Sequence, residues 1–289
     1  MGILPHTDVE KALELYFSLD IPFWPQLPRL SFYEDMYTQV SETFPGIVIE
    51  PHNRELWLSW EKFYEDLEEF VAHWDDRDYF ALSPQYSAVF HRFLSEDLSG
   101  YPLIRGQSTG LVSYGLKILD ENKRSIIYYE EVREIMFEFI LKKVEVQYEQ
   151  LKEENERAFV WVYEPGLEMV FMAFTGYTED RAFRDYQAFL ERYPGPKGAH
   201  LCGNPDWSFL LQLDLNILSV DVLAWGHIFS RYVEDLKSFL DKGGIISWGI
   251  TPTLTKEFEA HDFDKMIEQL DSIWGYLEKE GVPRKQILS

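Results

Sequence analysis

The chain has one cysteine, Cys202, in 289 residues. A single thiol excludes an internal disulfide, and a reducing compartment fits it. Basic residues are scarce: 27 Lys and Arg stand against 50 Asp and Glu, a formal net charge of −23. That field repels phosphate backbones and anionic lipid heads, so nucleic-acid and membrane-surface roles are disfavoured. No apolar run reaches the roughly 18 residues of a membrane span, and the opening residues hold neither a basic stretch nor a long apolar one. There is no G-x-G-x-x-G and no P-loop, so the nucleotide-binding open-sheet folds lack support. No linker or low-complexity segment divides the chain. One domain over residues 1–289, in a soluble cytoplasmic protein, is the expectation.

What is present is apolar residues (46%), aromatics (16%) and an alternation of strand and helix patterns. Thr7 or Asp8 is a natural N-cap for a helix over Val9–Phe17. Ile21–Pro28 carries three prolines, which suits a short strand breaking into a loop. Ile47–Glu50 reads as a small strand in an excursion, and Leu56–Trp74 as a helix. A further helix is expected from Ser83-Pro84 to about Leu94. Leu103–Gly110 reads as a strand ending in a polar loop. Tyr129–Asn155 is the longest helical pattern, with its lysines and glutamates expected outside. The apolar run Ala158–Tyr163 has the character of a strand covered on both faces. Helices are expected over Glu179–Tyr193, Trp207–Leu213, Phe229–Lys242 and Phe263–Gly281. Strands are expected over Gly198–Cys202, Ile217–Asp221 and Ile245–Ile250, with one more beginning at Gln286–Ser289. This alternation argues for parallel βαβ units. Eight strands with helices between them is the count of a (β/α)₈ TIM barrel, here ending at the start of the eighth strand. A doubly wound open sheet is the alternative.

In such a barrel the chemistry sits at the carboxyl ends of the strands. Those ends carry His6, Gln26, Arg105, Gln107, Ser108, Thr109, Glu164, His200, Cys202, Asn204, Asp221, Thr251 and Thr253, while the strand bodies are apolar or aromatic. Each has an ordinary structural reading too. His6 and Asp8 can serve a helix start, Glu164 can satisfy loop amides, and Arg105 can pair with an acid or bind a substrate carboxylate. Cys202 can be a buried thiol beside an ordinary histidine. Residues i and i+2 of a strand share a face, so His200 and Cys202 project together, and an imidazole with a thiolate suits zinc. Asp221 ends an apolar strand, where an unpaired carboxylate is costly and a cation or partner is expected.

Taken together, Gly2–Asp8, Pro22–Pro28, Arg105–Gly110, Glu164-Pro165-Gly166-Leu167, His200-Leu201-Cys202-Gly203-Asn204, Leu218–Asp221 and Trp248–Thr253 resemble the catalytic barrel of cobalamin-independent methionine synthase. The related core methionine synthases and corrinoid-linked thiol methyltransferases share it, in a wider group that includes uroporphyrinogen decarboxylase. The resemblance implies a zinc ion that holds a thiol substrate, homocysteine first, for methylation. Its ligands fall on His200, Cys202 and Asp221, the last where methionine synthase has Glu. It also implies Glu164 and His6 as catalytic residues that orient substrate, with Arg105, Ser108, Thr109 and Asn204 lining the substrate pocket. A methyl-corrinoid protein is the implied donor, methyl-folate the other. The family's last zinc-binding cysteine has no counterpart before Ser289. The chain is therefore expected to be cut short there, or completed by another element. Ile3 stands where the family pattern has Ser, Tyr163 where it has Asp, and the histidine after the seventh strand is absent.

Three functions compete: zinc-dependent methyl transfer to a thiol in methionine biosynthesis, a decarboxylase-like barrel without metal, and a non-catalytic relative that binds a corrinoid, a thiol or a partner protein. The decarboxylase reading calls for basic residues around the cavity, which an acidic chain with few rim arginines does not supply.

Overall fold

The computed structural model describes residues 2–172, 176–253 and 255–288. The chain divides into two compact units, Met1–Gly166 with Arg192–Gly195, and Leu167–Glu191 with Pro196–Ser289. Both are mixed α/β, and no described helix is long and apolar enough to cross a membrane.

The first unit opens with α1 (Val9–Phe17), whose first turn is capped by Asp8 accepting from the Lys11 amide at 3.2 Å. Next come α2 (Met36–Val40), β1 (Ile47–Glu50), β2 (Glu55–Leu58) and α3 (Trp60–Ala72). β1 and β2 form an antiparallel hairpin, so the helix expected from Leu56 begins only at Trp60. In this hairpin Leu56 and Trp57 face Ile49 and Val48 across the ladder, and pairing overrides the helical spacing. After α4 (Arg77–Phe80), α5 (Ala88–Leu94) is capped by Ser87 rather than starting at Pro84. Then follow β3 (Ile104–Thr109), α6 (Leu111–Lys117), α7 (Glu130–Glu154) and β4 (Ala158–Tyr163).

β3 and β4 are parallel, paired from Ile104 with Ala158 to Thr109 with Tyr163. The segments expected as the first two strands appear as single parallel bridges, Ile3 with Gln26 and Phe23 with Arg105. Beyond the second bridge β3 needs other partners for its backbone. Gln147 of α7 supplies them: its Oε1 accepts from the Gln107 amide at 2.8 Å and its Nε2 donates to the Gln107 carbonyl at 3.0 Å. Gly106 permits this, because a β-carbon there would collide with the Gln147 amide. α7 is covered on more sides than its sequence suggests. Phe139 packs against Phe44, Phe70 and Phe80, and the expected outer face contributes buried Arg133 and Lys143.

The second unit contains α8 (Glu179–Arg192), β5 (Lys197–Leu201), α9 (Trp207–Gln212), β6 (Ile217–Asp221), α10 (Val222–Phe229), α11 (Val233–Asp241), β7 (Ile245–Gly249), α12 (Thr255–Ala260), α13 (Phe263–Lys279) and α14 (Arg284–Ile287). β6 lies between β5 and β7 in a parallel arrangement. An aromatic line of Trp207, Phe229, Trp248 and Trp274 runs through the core with centroid spacings of 5.1, 5.9 and 6.1 Å. The strand expected to begin at Gln286 is instead α14. Pro283 precedes it, Arg284 pairs with Asp271 and Glu278 of α13, and Trp248 donates to the Ile287 carbonyl at 3.1 Å. Ser289 lies outside the described residues.

Candidate functional site

In the second unit, the register of β5 and β6 sets His200 beside Ser219 and Leu201 beside Val220. Continued one residue, it sets Cys202 level with Asp221. Alternation then gives His200, Cys202, Ser219 and Asp221 one common face. His200 is buried, and its Nδ1 lies 2.9 Å from Ser219 Oγ, which turns the other ring nitrogen toward Cys202. His200 Nε2 and Cys202 Sγ are 3.6 Å apart. A tetrahedral zinc with nitrogen at about 2.05 Å and sulfur at about 2.3 Å sets those donors about 3.6 Å apart. At this distance the two are a thiol–imidazole hydrogen-bonded pair, and the same separation and donor types also fit a zinc ion, with Ser219 an outer partner of the kind that fixes a ligating imidazole.

Asp221 stands differently. Its Oδ1 caps α10, accepting from the Ala224 amide at 3.1 Å. Among the described residues no three His, Cys, Asp or Glu side chains converge to hold a metal ion. Burial pushes the Cys202 thiol up from its ordinary pKa, and the charges of Asp221 and Glu168 push the same way. Burial also raises the Asp221 carboxyl, with Glu257 adding to the shift. Glu168 accepts from the Asn204 amide at 3.1 Å, and Gly203 leaves room for its carboxylate. Asn204 Oδ1 accepts from Trp207 Nε1 at 3.0 Å, so this side chain holds the turn after β5.

In the first unit the expected pocket residues are engaged internally. Arg105 is 4% exposed, with its guanidinium 3.6 Å from the Phe23 ring centroid and 3.7 Å from that of Trp161. It also donates to the Tyr163 hydroxyl at 3.4 Å. That hydroxyl accepts from the Gly2 amide at 2.7 Å and donates to Gln107 Oε1 at 2.8 Å, so Tyr163 ties the start of the chain to β3. Thr109 Oγ1 donates to the Met36 carbonyl at 2.9 Å, and Ser108 is buried beside it. His6 is half-buried, and its Nδ1 has no hydrogen-bond partner in the described structure.

Glu164, just past β4, is 1% exposed. Its carboxylate accepts from the Ser113 hydroxyl at 2.6 Å, the Ser113 amide at 2.8 Å and the Val112 amide at 3.2 Å. Gly110 makes space for it, since a β-carbon there would overlap the carboxylate. Burial raises Glu164 to about 7 despite those three donors. Such a group titrates in the range of a general acid or base. Sequence reading missed Ser219, Glu168, Ser113 and the linking role of Tyr163. Ser219 was legible only through strand register, and the others only through tertiary contact.

The chain matches no protein-family model, and no curated protein or solved structure is significantly similar to it.

Proposed function

We propose that the protein is a zinc-dependent methyltransferase that moves a methyl group from a methyl-corrinoid or methyl-folate donor to a thiol, with homocysteine the first candidate. The fold that goes with this reading is the (β/α)₈ barrel. The observation that carries it is the His200–Cys202 donor pair at 3.6 Å with Ser219 behind the imidazole. Asp221, level with Cys202, is the third ligand in this reading. It would give up part of its cap on α10 to hold the metal. Zinc, when bound, lowers the pKa of a substrate thiol and keeps the sulfur nucleophilic near neutral pH. The sulfur forms the new bond to the methyl carbon, the donor retains the electron pair of the broken bond, and the thiol proton passes to solvent. His200 supplies Nε2 while Ser219 holds Nδ1.

A second reading, a non-catalytic protein that binds a corrinoid, a thiol or a partner protein, is favoured by the engagement of Arg105 and Thr109 in internal contacts. Zinc stoichiometry by mass spectrometry, on the full chain and on Cys202→Ala and Ser219→Ala, tests the site. About one zinc per chain is expected. Cys202→Ala should lose it, and Ser219→Ala should weaken it about tenfold or more. Thiol-dependent demethylation of methylcobalamin then separates the readings: turnover supports the transferase, and zinc without turnover supports the binding protein. No zinc in any form removes the transferase reading and leaves the binding protein.

A further inference from the structure

In the first unit a cleft of about 470 Å³ opens between the β1–β2 hairpin, α2 and the turn after α6. Its size lies in the range of small-molecule sites, about 300–1,000 Å³. Phe32, Tyr37 and Trp57 line it, together with Arg54, Lys117 and Lys123. Three cations at one cleft are unexpected on a chain with formal charge −23. Elsewhere in the chain Arg77, Arg92 and Arg284 are paired with acids. Among the described residues no salt bridge joins Arg54, Lys117 or Lys123 to an acid. Arg54 instead lies over the Phe32 ring at 5.0 Å and donates to the Pro28 carbonyl at 3.1 Å, and Lys117 sits 5.7 Å from the Tyr37 ring centroid. Two acids share the lining. Asp35 is engaged in capping α2, where it accepts from the Tyr37 amide at 3.0 Å, and Glu55 is exposed, so positive charge is in excess.

The backbone adds an independent observation. Arg54 and Lys123 have φ of 55° and 63°, and Thr43 is the third non-glycine residue described with positive φ. Both residues sit in turns, Arg54 in the loop between β1 and β2, and each keeps a cationic side chain where glycine would be relaxed. Trp57, half-exposed on β2, offers an indole face to a flat ligand.

We propose that this cleft binds an aromatic phosphate monoester, the chemistry of a nucleoside monophosphate, with the ring against Trp57 and the phosphate on Arg54, Lys117 and Lys123. The phosphate here meets side chains, so no glycine-rich loop is required. A small ligand inside the cleft sits within a Debye length, about 8–10 Å, of these cations and feels them more than the distant acidic surface. A polymer would meet the whole negative field.

Isothermal titration of the full chain with adenosine monophosphate, adenosine and inorganic phosphate is the test. Arg54→Gly/Lys123→Gly is the variant, because glycine suits both backbone positions and the fold is kept, as circular dichroism would verify. Saturable binding of the monophosphate is expected, about tenfold weaker for adenosine, for phosphate and in the double variant, a difference of about 1.4 kcal/mol each. No binding of the monophosphate at about 5 mM, an unchanged affinity in the double variant, or phosphate binding as tightly as the monophosphate would each overturn the proposal.

Discussion

Glu164 is a buried carboxyl held by donors of its own unit. Its carboxyl is buried against Val112, Ser113 and Gly110, and burial raises it to about 7. Glu34 behaves alike: burial raises it to about 7, although the Ala88 amide donates to it at 2.9 Å. Both have an ordinary value of 4.5, so between pH 4.5 and about 7 the folded chain binds more protons than the unfolded one. Their contribution is complete below the lower value and is lost as pH rises through the upper. The unfolding free energy from denaturant titration should therefore fall from pH 5 to pH 7.5, by on the order of 1–3 kcal/mol per group. In Glu34→Gln and Glu164→Gln that slope should shrink, and an unchanged slope in both would show that the carboxyls are not the source. Glu164 as a site candidate was legible from its place after an apolar strand. Its confinement was not, because Ser113 and Gly110 stand more than fifty residues away in the chain.

At the scale of the element, α7 is the informative case. Its length was readable from periodicity, since Glu130–Glu154 matches the expected helix within a residue at each end. Its environment was not, because a helix packed on several sides buries positions that look like an outer face. Lys143 is 3% exposed at its side chain, its ammonium reaches only to 4.0 Å from Glu42, and burial lowers it to about 8. Its Nζ has no hydrogen-bond partner in the described structure. A buried ammonium without close partners is costly, and an unbranched apolar side chain of similar length fills the same space. Lys143→Met should raise stability at pH 7 by about 1–3 kcal/mol, read as a higher denaturant midpoint at unchanged slope. A lower midpoint would mean that the ammonium is held more favourably than its contacts indicate. The hairpin of β1 and β2 teaches the converse: Leu56 and Trp57 fit a helical spacing, yet cross-strand partners decided for strand.

For the whole molecule, charge is the dominant fact. With 50 acidic and 27 basic residues, self-repulsion opposes the compact state. Raising salt from about 0.01 M to about 0.15 M shortens the Debye length from about 30 Å to about 8 Å. The melting temperature should rise by a few degrees over that range, by roughly 2–8 °C, and then level off. A fall would mean that surface ion pairs such as Arg77 with Glu153 outweigh the repulsion.

The sequence by itself determined the local elements, because helix caps, apolar runs and turn residues act over a few positions. β4, β6 and α1 occur where their patterns placed them. It also determined that His200 and Cys202 share a face, since alternation along a strand is local. Tertiary structure decided what long-range contact decides. Ser219 met His200 through the register of β6 against β5. Arg105 was enclosed by Phe23 and Trp161 in place of lining an open pocket. Asp221 became a helix cap, and Arg284–Ile287 became helix under Trp248 where a last strand was expected. The physical reason is the same in each case. A side chain's partners are chosen by which segments pack together, and free energy follows those partners more than the residue's own preference.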